Sequence, residues 1–156
     1  MENNINVGIV GPKLLNNNGK IQESARSFPT LLSILWRGTF LHKMFPNANL
    51  YRKYLLANFD HSQIKEVDWV IGACQIIRKQ VFEKIGLLDE KYFFGYEDID
   101  FCRRAKKAGW KTVYWPDSEI YHRYSRTSAK GFFNQAKLQH IKSILYYFWK
   151  FGFRSI

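Results

Sequence analysis

The stretch Tyr92-Phe93-Phe94-Gly95-Tyr96-Glu97-Asp98-Ile99-Asp100-Phe101-Cys102-Arg103-Arg104 constrains this chain more than any other. Carboxylates occupy Glu97, Asp98 and Asp100, with aromatics before them and arginines after them. Acids in a first turn favour a helix start. Ile99, Cys102 and Ala105 recur at three-residue spacing and supply an inner face. Lys106 and Lys107 complement the far end, and Gly109 suits its termination. The pattern predicts a helix from near Asp98 to Ala108. Solvated acids need no aromatic neighbours, so an apolar loop that delivers acids to a helix start is a candidate half of an active site.

Asp98 has two compatible readings. As a helix N-cap it would accept amide hydrogen bonds and feel the helix dipole, both of which keep it ionised. As a general base it would have its pKa raised by burial beside Phe93, Phe94 and Tyr96, and a capping carboxylate is also rigidly held. Glu97 could orient that base or bind a substrate hydroxyl. Asp100, further into the helix, is expected to pair with Arg103 or Arg104.

The rest of the chain reads as one α/β domain over residues 1–156. Val7-Gly8-Ile9-Val10-Gly11-Pro12 is a short buried strand ended by Pro12, which Lys13 to Leu15 could extend. Asn16 to Gly19 has turn chemistry, and residues 20–27 return as a polar extended segment. Thr30 is the expected N-cap of a helix over residues 31–40. The stretch from His42 to Gln63 is a loop with room for one short helix. Lys43, Arg52 and Lys53 form a solvated face there or touch an acceptor or membrane, and His42 and His61 are loop histidines.

Glu66 to Arg78 gives the strongest strand signal, and Gly72-Ala73 within it marks a bulge or the close approach of a ligand. A short helix over Lys79 to Ile85 ends at Gly86. Lys111 to Trp115 is a strand stopped by Pro116, and Glu119 to His122 is another. A final helix over about 132–151 carries the apolar stripe Ala136, Ile141, Ile144, Leu145 and Phe148, with Lys137, Lys142 and Lys150 on other faces.

Composition narrows the partners. The net charge of +11 calls for an anionic partner, and 17% aromatic content suits dense cores, stacking surfaces or membrane interfaces. Cys74 and Cys102 have no metal-type spacing and read as buried thiols in a reducing compartment. The N-terminal residues lack a leader pattern, and no apolar run approaches a span of about 20 residues. The expected location is cytoplasmic, with peripheral contact at the inner face of the membrane as its extension. His122 follows an aromatic strand and precedes Arg123 and Arg126. It is a structural histidine or, together with the arginines, a site for a diphosphate and a divalent metal.

These residues reach a resemblance. Val67-Asp68-Trp69-Val70-Ile71-Gly72-Ala73 is followed by Arg78 to Glu90, then by Phe93-Phe94-Gly95-Tyr96-Glu97-Asp98-Ile99-Asp100, then by Ala108-Gly109-Trp110. This ordered set resembles the C-terminal half of family 2 inverting glycosyltransferases, rhamnosyltransferase-like members above all. Ile120-Tyr121-His122 is similar to the family's histidine segment. Val7 to Leu15, with Asn18-Gly19 and Phe28-Pro29-Thr30, is similar to the part that follows its metal-binding motif.

The resemblance implies a partial GT-A-like mixed sheet with flanking helices and a C-terminal amphipathic helix. It implies inverting transfer from a nucleotide-sugar to a lipid-linked or polysaccharide acceptor in polysaccharide biosynthesis. Asp98 would be the base with Glu97 beside it. Trp69, Gly72 and Ala73 would line the substrate pocket with Arg123 and Arg126 as substrate contacts, and His122 would lie near the metal.

Family members also begin with a nucleotide-binding region and an Asp-x-Asp motif that holds Mg or Mn, and no Asp-x-Asp precedes Asp98 here. The resemblance therefore implies a fragment with little activity alone. Its metal and nucleotide sites would need the missing N-terminal half, supplied as a separate chain or by a full-length homologue. The competing reading from composition is a basic module for nucleic acid or anionic surfaces, or a non-catalytic remnant. Nucleic acid is disfavoured, because the basic residues are scattered and the aromatics cluster beside acids that repel phosphate.

Overall fold

The computed structural model describes residues 1–2, 4–39, 44–45, 48–123 and 135–153. Its strands are β1 (Val7–Leu15), β2 (Ala25–Arg26), β3 (Lys65–Val67), β4 (Trp69–Val70), β5 (Ile76–Ile77) and β6 (Lys111–Tyr121). Its helices are α1 (Leu31–Gly38), α2 (Asn49–Leu55), α3 (Lys79–Ile85), α4 (Glu97–Lys107) and α5 (Gln135–Phe151). The main sheet has the order β3-β6-β1-β5, with β1 and β6 parallel and both outer strands antiparallel. β2 and β4 form a separate antiparallel pair. This is the expected α/β architecture with a mixed sheet and flanking helices.

β1 is buried along nearly its whole length, which fits its apolar run. Pro12 does not end it. The β1–β6 register shifts between Pro12 and Lys13, so the proline sits where the ladder is already irregular. Pro116 does not stop β6 either. Trp115 is opposite Pro12 and Glu119 is opposite Lys13, so residues 116–118 bulge out and the two expected strands are one.

The run from Glu66 to Arg78 is not one strand. β3 pairs with β6, β4 with β2 and β5 with β1, so each piece joins a different neighbour. The first break falls at Asp68, whose carboxylate accepts the Phe28 N–H at 2.9 Å and the Lys106 ammonium at 2.6 Å. The second is the turn beginning at Gly72. Splitting the run folds β4 over the main sheet. Gly11 permits this close approach, because a Cβ there would stand 2.7–2.9 Å from three side-chain carbons of Val70.

The core gathers Ile9, Val70, Val81, Phe101, Cys102 and Tyr114, with α4 packed on β4 and β6. Thr30 caps α1 as expected. Its hydroxyl accepts the Ser33 N–H, and Ser33 returns the bond to the Thr30 N–H. The helical turn anticipated between residues 42 and 63 is α2. His61 is a loop histidine as expected, but a buried one, and its ring packs on Phe59 and Tyr114.

The apolar stripe of the C-terminal helix is only partly buried. Phe148 is buried and Ile144 half-buried, but Ile141 and Leu145 are exposed. Lys150 turns inward to Asp89 and Asp100 at 2.7 Å each, because those carboxylates need a cation. Among the described residues no helix is long and apolar enough to cross a membrane.

Because the Val70 side chain leaves Gly11 no room, Gly11→Ala should destabilise the fold by about 1–3 kcal/mol through overpacking. Urea denaturation of the two proteins measures this.

Candidate active site

The site is built where α4 begins. α4 starts at Glu97, not at Asp98, and its N-cap is Tyr96. Asp98 therefore lies in the first turn rather than at the capping position. Tyr96 adopts a left-handed backbone with φ 78°, a conformation that costs a bulky residue about 1–3 kcal/mol. Its ring is buried against Tyr147 and His140 on α5, and this packing holds the backbone in place. The fixed bend presents Glu97 and Asp98 to the turn at Gly72.

Asp98 is held through both oxygens. Oδ2 accepts the Gly72 N–H and Oδ1 accepts the Ile99 N–H, each at 2.8 Å. Gly72 eases this approach, because a Cβ there would lie 3.2 Å from the Asp98 Cβ and press it back by a few tenths of an ångström. Loss of solvent raises the Asp98 pKa, and the neighbouring Glu97 carboxylate raises it further. The backbone N–H bonds oppose them, and the balance pushes the group up to about 6. Glu97 Oε2 is buried and has no hydrogen-bond partner among the described residues.

Asp100 has a different task. It is fully buried and accepts from Tyr92 Oη at 3.1 Å, Arg104 Nε at 2.6 Å and Lys150 Nζ at 2.7 Å. Of the two arginines expected to pair with it, Arg104 does so. The Arg103 guanidinium instead donates to Tyr147 Oη at 2.7 Å.

The other candidates divide between the core and a second surface. Trp69 is buried in β4, where its indole N–H donates to the Ser27 carbonyl at 2.8 Å and Arg26 covers its ring. Ala73 is exposed in the turn beside Gly72. His122 follows β6, and its Nδ1 is 3.0 Å from Gln22 Oε1. Gln22 Nε2 donates to the His122 carbonyl at 2.7 Å and to Asn16 Oδ1 at 2.9 Å. Arg123 borders a shallow depression of about 390 Å³ together with Asn16, Asn17 and Asn18. Arg126 lies outside the described residues, as do His42 and Lys43.

β6 follows α4 through Gly109, and His122 follows the carboxyl end of β6. Among the described residues no three His, Cys, Asp or Glu side chains converge on a point that could hold a metal ion. Cys74 and Cys102 are free thiols, and burial pushes the Cys102 thiol up to about 12.

His140 was not singled out by sequence reasoning. Its Nδ1 lies 3.3 Å from the Phe94 carbonyl and its ring meets those of Phe94 and Tyr96. Burial lowers its pKa. The sequence offered no sign of this contact, because residues 94 and 140 are brought together only by the docking of α5.

Residues 22–139 match the family model described as "Glycosyltransferase like family 2". The chain belongs to this family of transferases, and its mixed sheet and helices are a partial GT-A-like fold. It is 31% identical over 126 residues to an N-acetylglucosaminyl-diphospho-decaprenol L-rhamnosyltransferase of Mycobacterium tuberculosis, a match that covers 79% of this chain and 39% of the relative. It is 35% identical over 103 residues to a low-salt glycan biosynthesis hexosyltransferase of Haloferax volcanii, covering 65% of this chain and 28% of that one. The chain thus spans less than two fifths of either relative. No solved structure matches it.

The raised pKa of Asp98 has a stability signature. Between its unfolded value of 3.8 and its folded value of about 6, the folded protein retains a proton that the unfolded chain has released. Stability should therefore fall as pH rises through this window and level off above it, by about 3 kcal/mol in total. Asp98→Asn removes this slope, so urea midpoints of the two proteins from pH 4 to 7 should diverge between pH 4 and 6 and run parallel above.

Proposed function

We propose that this chain is the acceptor-binding and catalytic-base portion of an inverting glycosyltransferase, with Asp98 as the base. The observation behind this reading is the Asp98 carboxylate, held by two backbone N–H groups and pushed up to about 6. A base so poised is ionised at neutral pH and still basic enough to take a proton from a hydroxyl as that hydroxyl reacts.

In the proposed reaction the acceptor hydroxyl oxygen attacks the anomeric carbon of the donor sugar. Its proton passes to a carboxylate oxygen of Asp98. The bond from the anomeric carbon to the nucleotide diphosphate breaks on the opposite face, and the configuration inverts. Glu97 Oε2 accepts a hydroxyl of the bound sugar and so orients it. Gly72 and Ala73 form the wall facing the base, with Trp69 as the buried support of that wall. Arg123 and Arg126 offer positive charge to the donor phosphates beside His122.

A divalent cation at the leaving diphosphate needs carboxylates that the described residues do not supply. The reading assigns these, and the nucleotide pocket, to a partner segment or a full-length homologue. The acceptor is taken to be lipid-linked or a growing polysaccharide, since the Mycobacterium relative is named for a decaprenol-linked substrate. Work then takes place at the cytoplasmic face of a membrane.

The test is a transfer assay with nucleotide-sugars and a polyprenyl-diphosphate-linked acceptor, with the chain alone and with a nucleotide-binding half from a relative. The chain alone should show little transfer. In the reconstituted complex, Asp98→Asn should lower the rate by about 10²–10⁴-fold, the usual contribution of a general base. An unchanged rate in the Asn variant would remove Asp98 from catalysis. Transfer by the isolated chain at a rate near that of a full-length relative would overturn the division of labour.

A further inference from the structure

α5 is apolar on two sides, and packing uses only one. Ser143, Tyr147 and Phe148 are buried. Leu138, Ile141, Leu145 and Trp149 remain 55%, 44%, 65% and 77% exposed. Their spacings of three, four and four residues place them within an arc of about 80° at 100° per residue. Exposed Lys142 stands on one flank of this row and exposed Lys137 on the other. Phe153, 64% exposed, continues the apolar surface beyond the helix.

Charge separates along the chain in the same direction. Residues 120–156 contain seven Lys and Arg and no Asp or Glu. A face so charged repels a second copy of itself, because the lysines of one copy would meet those of the other. It suits a surface that is apolar within and anionic at its rim. Leucine and isoleucine in the row, tryptophan near its end and lysines on both flanks are the arrangement by which an amphipathic helix lies in a lipid headgroup region.

We propose that the outer face of α5 docks this protein on an anionic bilayer, with Leu138, Ile141, Leu145 and Trp149 at the acyl boundary and the lysines among the headgroups. The inner face of the same helix touches the site: His140 and Tyr147 pack on Tyr96, which caps the helix of Asp98. Docking therefore puts the base roughly one helix diameter, about 10–12 Å, behind the membrane surface. That depth matches a sugar joined through a diphosphate to a membrane-held lipid. The purpose of the docking rests on the function proposed above, but the docking itself does not.

Co-sedimentation of the chain with vesicles tests it without any sugar transfer. Vesicles containing phosphatidylglycerol should retain the protein, and vesicles of phosphatidylcholine alone should retain much less. Leu145→Ser combined with Trp149→Ser should weaken partitioning roughly tenfold or more. Both side chains are mostly exposed, so the folded state should survive, as circular dichroism and an unchanged urea midpoint would show. Asp98→Asn should bind vesicles as the parent does, which separates failure of docking from failure of catalysis. Equal binding by the Leu145/Trp149 variant and the parent would overturn the proposal, as would negligible binding to both vesicle types. Self-association that this variant abolishes, seen by analytical ultracentrifugation without vesicle binding, would assign the face to a second copy instead.

Discussion

The arrangement depends on one buried carboxylate. Asp100 lies fully out of solvent on α4, where an unpaired charge would cost several kcal/mol. Tyr92 from the preceding loop, Arg104 from the next turn and Lys150 from α5 converge on it. Lys150 also reaches Asp89, as does the Tyr146 hydroxyl. Burial would raise the Asp89 pKa, but Lys150, the Lys91 N–H and Tyr146 outweigh that effect and bring it down to about 2. Arg104 further donates to the Ile85 and Leu87 carbonyls and so ties in the end of α3. One charge cluster thus clamps a loop and three helices. Removing one member leaves a buried charge short of a partner, whereas the intact cluster fixes where Tyr96 can sit.

Two acids two residues apart consequently play opposite parts. On a helix such residues do not share a face. Asp100 turns inward and is saturated by cations, so its negative charge is fully used in holding the structure. Asp98 turns toward Gly72 and accepts backbone N–H groups, with the Glu97 carboxylate beside it. Its loss of solvent and that neighbouring charge are why its proton affinity rises. The clamp supplies the rigidity and leaves Asp98 the basicity.

Much of this was legible in residue chemistry. Thr30 before α1, Gly86 after α3, and Gly109 after α4 mark element ends through local bonding that needs no tertiary partner. The acidic start and basic end of α4 were visible for the same reason. What failed was long-range. Val67 to Ile77 has the composition of a strand, but Asp68 is claimed by Phe28 and Lys106, and Gly72 by Asp98. Such claims from distant residues cut the run into pieces. Pro12 and Pro116 read as stops, yet both fall at an irregular point of the β1–β6 ladder, where the bulge absorbs them. Lys150 reads as a solvent lysine on any helical projection, because Asp100 and Asp89 are fifty residues or more away in sequence. Tyr96 at positive φ was invisible as well, since nothing in a tyrosine announces it and only packing on α5 imposes it.

α5 is where these constraints meet. Its inner side supplies Lys150 to the clamp and His140 and Tyr147 to the cap of α4, so its position is set by charge and aromatic packing rather than by a broad apolar stripe. That leaves Ile141 and Leu145 of the apolar stripe on the outside. A helix held by a few strong inward contacts can give up its remaining apolar residues to another surface without coming loose. The inward contacts are also the ones that orient Asp98. Anything that seats the outer row of α5 against a surface therefore orients Asp98 relative to that surface through a rigid path of side chains: Tyr147 to Tyr96, Tyr96 to the first turn of α4, and that turn to Asp98.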